Sequence, residues 1–289
     1  MEIAIVTDEI SGDPQTSIEL GLEWGVSAYE LRGFGTQRVP LFTQFQKSRI
    51  EELLDQYSVR IVAISPGLFK CPNPLSQREH FPLSIIDKTL YDKWRQPRDL
   101  IEFHLQELLP LSIEYAQAIG AEKIVAFSFE RNDMTEIPDE VLAAIQEAAG
   151  QCAGAGLELV IEVEAGFWAD TGANTAAMMR SIAHPALGVN WDPGNAIVAG
   201  DIPFPDGYNA VRDYVKHVHF KDVTFTNDGS YQYALEGEIA WDQQVAALID
   251  DGYTGIISVE THMEPKVSSA RAMTQRLKAL IGQAESSSG

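Results

Sequence analysis

Eight short runs rich in β-branched and other apolar residues recur along the chain, separated by longer stretches of helical period. The runs are Ile3–Thr7, Ala28–Leu31, Arg60–Ile64, Lys123–Ser128, Leu159–Val163, Leu187–Trp191, His217–Phe220 and Ile256–Val259. The amphipathic stretches include Ile50–Tyr57, Leu100–Ile119, Asp139–Ala153, Asn174–Ile182 and Trp241–Asp250, and Ser268–Ile281 follows the last run. Gly120, Gly156 and Gly252 stand where a helix hands over to a strand, a place that favours left-handed backbone. Strands alternating with helices imply a parallel sheet with helical crossovers. An open doubly wound sheet usually has about five to seven strands. Eight units in 289 residues therefore predict a closed (β/α)8 TIM barrel, a single domain over 1–289.

Composition narrows the function classes. Lys and Arg number 21 against 42 Asp and Glu, a net charge of −21, which repels phosphodiester backbones and anionic membrane surfaces. No apolar stretch reaches the length of a membrane span. The start, MEIAIVTDEI, lacks a basic region ahead of its apolar run and reads as a strand rather than a leader. Two cysteines, Cys71 and Cys152, form no framework, which suits reduced thiols in a cytoplasmic protein. The segment from about Gly67 to Pro97, rich in Pro and charge, is predicted to pass over the barrel mouth. Residues from about 283 to 289, ending in QAESSSG, read as a frayed tail.

Barrel active sites lie at the C-terminal ends of the strands, and the last four runs close on metal-capable groups. These are Glu162 and Glu164, Asp192, His217 and His219, and Glu260 and His262. Side chains alternate across a strand. With Ile161, Val163, Val218, Phe220 and Val259 turned to the helices, Glu162, Glu164, His217, His219, Lys221, Ser258, Glu260 and His262 face inward. An isolated strand-terminal Glu is more often a rim salt bridge, and a lone HxH pair more often a satisfied core histidine. Convergence of carboxylates changes the balance, because their mutual repulsion calls for a cation. Oxygen ligands with one imidazole suit Mn2+ foremost, then Mg2+ or Co2+, with Zn2+ open. Glu164 and His217 lie beside the ligand positions as alternatives.

Several pieces of the chain resemble one family. YELRG, after a helix ending at Gly25, is similar to a second strand bearing Glu-x-Arg, and HVHFKD to a seventh strand. ALEGEIAWDQQVAALIDDGYTGIISVETH is similar to a closing Gly-x-Gly-x-x-x-Trp/Phe region, helix, Gly-Tyr turn and terminal Glu, with Glu236 standing where the first Gly is usual. Together these resemble the xylose isomerase-like TIM-barrel superfamily of sugar and sugar-phosphate isomerases and epimerases. The resemblance implies metal ligands at Glu162, Asp192, His219 and Glu260, favouring His219 over His217. It also implies that Glu162 and Glu260 move the proton. Glu162–Val163–Glu164 lacks the Asn common on the fifth strand. Asn195 stands where ketohexose epimerases often carry a His, which argues against a tagatose or psicose epimerase.

The expected chemistry is proton abstraction beside the carbonyl of a small polyhydroxylated substrate, through an enediolate held at a divalent metal. Isomerisation, epimerisation or, by loss of a β-hydroxyl, dehydration (inosose or 3-dehydroshikimate dehydratase-like) share that step. Lys221, Arg32, Glu30, Trp168, His217 and Glu164 are the candidate substrate-binding residues, with Glu30 predicted to pair with Lys221 or Arg32. Phe34 and Phe69 are further mouth aromatics. Gly33–Phe34–Gly35 fails as a dinucleotide loop because Arg38 stands at the third Gly position, and Ser65 lacks the setting of a nucleophile elbow. Six histidines argue against the abasic-DNA endonuclease branch. A non-catalytic sugar-binding barrel would not need both Glu162 and Glu260. A homo-oligomer stays open.

Overall fold

The structure, a computed structural model, describes residues 1–75, 97–132 and 134–287. Its barrel strands are β1 (Glu2–Val6), β2 (Ala28–Leu31), β3 (Arg60–Leu68) and β4 (Lys123–Ala126), then β5 (Glu158–Glu162), β6 (Leu187–Trp191), β7 (Val215–Phe220) and β8 (Ile256–Val259). Each strand pairs in parallel with its neighbours in sequence, and β8 closes onto β1, with Ile3 opposite Ile257 and Ile5 opposite Val259. The closed (β/α)8 barrel predicted from periodicity is therefore the fold observed.

Period two sorts the side chains into two layers. Ala4, Ala28, Val62, Ala63, Val125, Val160 and Ile256 form a small buried cluster of their own. Small side chains are what fits where eight strands converge. Two residues further along the same faces come Glu30, Glu162 and Ser258, so an apolar plug floors a polar mouth. The opposite faces (Ile5, Leu31, Ile161, Val189, Val218, Phe220 and Val259) join Leu53, Ile145, Val245 and Leu248 of the helices in the main core. Each such side chain contributes about 1.5–3 kcal/mol on burial.

Local signals set the helix ends. Asp13 accepts the Thr16 amide at 3.0 Å and caps Pro14–Glu23. Thr43 and Gln46 form a reciprocal capping box at the start of Gln44–Tyr57. Gly120, Gly156 and Gly252 have φ of 71°, 75° and 73°, as their handover positions require.

Several boundaries differ from the sequence reading, β3 for one running four residues past Ile64 to Leu68. β4 stops at Ala126, two residues short of Ser128. There the chain turns toward Phe129, left-handed at φ 60°, whose ring stacks on Phe69 at 4.6 Å. The helical stretch predicted for Leu100–Ile119 contains a π segment, His104–Leu108, between Pro97–Phe103 and Leu109–Ala118. At the C-terminus, helix Lys266–Ser287 runs through most of the predicted tail. Gln283, Ala284 and Glu285 favour the helix, and the Ser286 hydroxyl donates to the Gly282 carbonyl at 2.7 Å. Most of the predicted excursion, residues 76–96, and residues 288–289 lie outside the described residues. Among the described residues, no helix is long and apolar enough to cross a membrane.

Candidate metal centre

Four strand ends deliver one ligand-capable group each. Glu162 closes β5, Asp192 follows β6, His219 lies on β7, and Glu260 follows β8. Each offers one ligand atom, and these atoms all lie within 4.8 Å of one another. His219 Nδ1 is 3.6 Å from Glu162 Oε1, 3.7 Å from Asp192 Oδ2 and 3.2 Å from Glu260 Oε2. All four residues are buried, so the carboxylates have little water to screen them.

Local structure aims each group. Asp192 caps helix Pro193–Val198, its Oδ1 accepting the Asn195 amide at 2.9 Å, which leaves Oδ2 turned toward His219. The Asn195 side chain reaches back to β5, donating to the Val163 carbonyl at 2.9 Å, to Glu164 Oε2 at 2.7 Å and to Glu162 Oε1 at 3.4 Å. Asn195 thus holds Glu162 and Glu164 together from the helix that follows β6. Glu164 also faces Lys70, at 3.2 Å.

His219 Nδ1 and Asp192 Oδ2 are buried without a hydrogen-bond partner. Buried polar atoms are rarely left so, and a site for an ion is one reason for an exception. Three carboxylate oxygens and one imidazole nitrogen suit a hard divalent cation. The residues fit a metal, with Glu162, Asp192, His219 and Glu260 as its holders. Among the described residues, two further groupings of metal-capable side chains are already internally partnered. Glu30 lies between His217 and His219, and Glu9 and Glu260 are both bound by Arg32.

Without a divalent cation, the charge is offset by protonated side chains. Lys221 Nζ stands 2.8 Å from Asp192 Oδ2 and 2.7 Å from Glu260 Oε2. The Asp192 contact is an ion pair outside hydrogen-bonding geometry, so Oδ2 still lacks a hydrogen bond. Burial lowers the proton affinity of Lys221, but Asp192 and Glu260 override it and hold the amine well above its ordinary range. Burial likewise lowers His219, and Glu30, Glu260 and Glu162 more than reverse that. Burial raises Glu260, yet Lys221, His262 and His219 hold it well below the usual carboxylate range. A metal would take the place of the His219 Nδ1 proton.

The remaining candidates divide. Lys221 lies at the centre, as its inward position predicts. His217 is fully buried beneath it, its Nε2 3.0 Å from Glu30 Oε2 and 2.9 Å from Ser258 Oγ. Glu30 pairs with neither Lys221 nor Arg32, contrary to the sequence reading. It meets the Nε2 atoms of His217 and His219, each at 3.0 Å, and accepts from the Ser65 hydroxyl. Arg32 is held by carboxylates on every side: Asp8 at Nε, Glu9 at Nη2 and Glu260 at Nη1. Each of its three nitrogens thus meets a carboxylate. Phe69 is fully buried between Phe129 and His104, and Phe34 packs edge-on against Phe42 at 6.2 Å. Both rings serve packing. Trp168 is 3% exposed, lies under Arg131 at 5.3 Å, and keeps an unpartnered Nε1.

Several participants escaped the sequence reading. Asp8 and Glu9 directly follow β1, so the rule that singled out β5 to β8 reaches them as well. Asn190 Nδ2 lies 3.0 Å from His219 Nε2, but a buried Asn inside a strand carries no distinctive signal. At Gly194, a Cβ would come within 2.7 Å of Lys221 Cγ, and only the fold reveals that closeness.

A closed barrel with its polar groups gathered at the C-terminal mouth defines the class. The chain belongs to the xylose isomerase-like TIM barrel family, whose description matches residues 18–280. No curated protein matches the chain by sequence. Among solved structures, it is similar to a D-tagatose 3-epimerase-like protein, with a TM-score of 0.74 and 18% identity over 100% of both chains. It is similar to the probable 3-DHS dehydratase AsbF of Bacillus anthracis, with a TM-score of 0.70 and 18% identity over 96% of this chain and 99% of the other. It also resembles a xylose isomerase-like TIM barrel protein from Mycobacterium smegmatis in complex with magnesium. There the TM-score is 0.67 and the identity 16%, over 98% of this chain and 97% of the other. At such identities the likeness carries the fold.

Proposed function

We propose that the protein is a divalent-metal-dependent isomerase or epimerase of a small polyhydroxylated carbonyl compound, a sugar or sugar phosphate. The observation that carries this reading is the meeting of Glu162, Asp192, His219 and Glu260 at the barrel mouth, with two buried ligand atoms left without a hydrogen bond. A divalent ion there, Mn2+ or Mg2+ by the donor set, would polarise a carbonyl and acidify the adjacent C–H.

The chain's own groups divide the remaining work. Glu162 is the freer of the two carboxylates, its Oε1 meeting the Asn195 amide at 3.4 Å and His219 Nδ1 at 3.6 Å. Glu260 is gripped by Arg32 on Oε1 and by Lys221 on Oε2. Glu162 therefore removes the proton beside the carbonyl, and Glu260, across the same centre, serves its return. Lys221 turns its ammonium toward the oxygen that gains charge. Glu164, His217 and Trp168 line or underlie the mouth, and Glu164 is the one placed to meet a substrate hydroxyl.

Dehydration is the second reading. It keeps the first proton transfer and differs only in expelling a β-hydroxyl. Its support is the similarity to the probable 3-DHS dehydratase together with Glu164 beside Glu162.

The test uses D2O. Ketoses, inososes and 3-dehydroshikimate are incubated with the protein and Mn2+, and deuterium is sought at the carbon beside the carbonyl. Label in substrate or product, dependent on metal, supports the reading. Turnover with hydrogen passed directly between adjacent carbons would replace it with a hydride shift, and exchange undiminished in chelated protein would remove the metal from the chemistry.

A further inference from the structure

The Glu-x-Arg pair of β2 supplies no atom to the four-residue centre, yet both side chains end on residues that do. Glu30 crosses the barrel from β2 to β7, and its Oε2 stands 3.0 Å from the Nε2 atoms of both His217 and His219. Arg32 reaches past the end of β1 to Glu260, with Nη1 2.5 Å from Oε1. We propose that β2 aims the centre. Glu30 fixes the His219 ring so that Nδ1 faces the carboxylates, and Arg32 turns Glu260 so that Oε2 does. The proposal rests on the metal centre described above and assigns Glu30 and Arg32 as positioning residues rather than substrate contacts.

The hydrogen-bond chemistry carries the first half. A carboxylate only accepts, so an imidazole nitrogen beside Glu30 Oε2 must carry the proton, and the Asn190 amide beside the same His219 nitrogen must then turn its oxygen to it. In the neutral imidazole the other nitrogen is then bare. For His219 that atom is Nδ1, whose proton a metal would displace, and it lies 3.2–3.7 Å from three carboxylate oxygens with no hydrogen-bond partner. For His217 the same bonding leaves Nδ1 bare and buried as well, but away from the four-residue cluster. One carboxylate thus sets two rings alike, and position alone makes His219 the ligand. Glu30 is itself anchored from β3 by the Ser65 hydroxyl.

Planar geometry carries the second half. Asp8 takes the Arg32 Nε with both oxygens, at 2.9 and 3.0 Å, and Glu9 takes Nη2 at 2.5 Å. Glu9 is in turn fixed by the backbone amides of Thr261 and His262, at 3.1 and 2.7 Å. The guanidinium plane is set by β1 and the chain just after β8 before it meets Glu260. A lysine has no such fork and cannot hold Asp8, Glu9 and Glu260 in one plane. With Oε1 engaged, Glu260 presents Oε2, the oxygen nearest His219 Nδ1.

The test combines calorimetric Mn2+ titration of the wild type, Glu30→Gln and Arg32→Lys with nitrogen-15 NMR of the histidine rings in Mg2+-loaded protein. Both substitutions are expected to weaken Mn2+ binding by about 10–100-fold, the usual cost of losing a group that orients a ligand. In the unmodified protein both rings should carry their proton on Nε2, a readout that needs no variant to fold. In Glu30→Gln the carbonyl oxygen can still accept where Oε2 did while the NH2 turns to Ser65, so the tautomers should hold and the loss should come from the missing charge. Glu30→Leu, which offers no acceptor, should let at least one ring change tautomer, whereas Arg32→Lys should leave both rings as they are. Both variants binding Mn2+ within about twofold of wild type, or a wild-type His219 protonated on Nδ1, would overturn the proposal. Wild-type protein that takes up no Mn2+ would sink the centre and this proposal together. Uptake by the wild type with unchanged affinity in both variants would sink the positioning alone.

Discussion

Lys221 Nζ stands 2.7 Å from Glu260 Oε2, and the same ammonium lies 2.8 Å from Asp192 Oδ2. An internal cation thus sits against two of the four groups that would hold a metal. Lys221 is 1% exposed, so its charge is compensated by these carboxylates and not by water.

Replacing it separates two roles. Lys221→Met should impair turnover, yet Mn2+ should bind at least as tightly, because a competing positive charge has gone. Chelated Lys221→Met should be less stable by roughly 3–5 kcal/mol, the cost of stripping one partner from a buried pair. Added metal should restore most of that loss. Thermal melts with chelator and with Mn2+, beside a calorimetric titration, decide it; weaker metal binding in the variant would show that Lys221 supports the centre.

Gly194 makes room for that lysine. A Cβ there would lie 2.7 Å from Lys221 Cγ and 3.3 Å from Asp192 Oδ1. The obstacle is the stem of a buried side chain, so the ammonium cannot simply swing aside. Gly194→Ala should fold with a modest loss of stability, about 1–3 kcal/mol as for other overpacked sites. Its kcat should fall more than its metal affinity. Unchanged kinetics would mean that Lys221 has slack the close contact does not suggest.

The two carboxylates should respond differently to neutralisation. Glu162→Gln removes the freer base and should slow solvent exchange at the substrate carbon by about 10²–10⁴-fold, the range of general-base catalysis. Glu260→Gln should also abolish turnover. In addition it should lower stability, since it leaves Arg32 and Lys221 facing a neutral amide. Exchange rates in D2O and denaturation midpoints for both variants test this. Equal stability of the two would contradict the asymmetry.

Stability should carry a signature of His104 in acid. Its ring is fully buried and accepts the Phe69 amide on Nδ1 at 2.6 Å, and burial pushes its pKa from 6.5 to about 3. The unfolded chain therefore binds this proton more readily than the folded one. The contribution is complete above about pH 6.5 and is lost as pH falls from there toward 3, by at most about 1.4 kcal/mol per pH unit. Urea unfolding at pH 6.5 and pH 5 should show the wild type losing about 1–2 kcal/mol more than His104→Gln. Parallel losses in both proteins would clear His104.

The barrel was legible in the chain because hydrophobic period is a local property. Ala28–Leu31, Leu187–Trp191 and Ile256–Val259 begin and end where alternation and flanking turns place them. The same period of two turned Glu162, His219 and Glu260 inward, and the rule that barrel chemistry gathers at the C-terminal mouth brought Asp192 to them. These inferences need only the chain's own spacing. Which of those side chains bond one another is a different matter, decided by strands far apart in sequence. Glu30 and His219 are 189 residues apart, and Arg32 and Glu260 are 228 apart. No local pattern distinguishes a β2 arginine that meets substrate from one enclosed by Asp8, Glu9 and Glu260. Barrel closure brings the end of β1 between β2 and β8 and surrounds the guanidinium with carboxylates. The same closure buried Phe69 against Phe129 and carried Glu30 between two histidines, because side-chain partnership depends on distance in space and period records only direction from the strand.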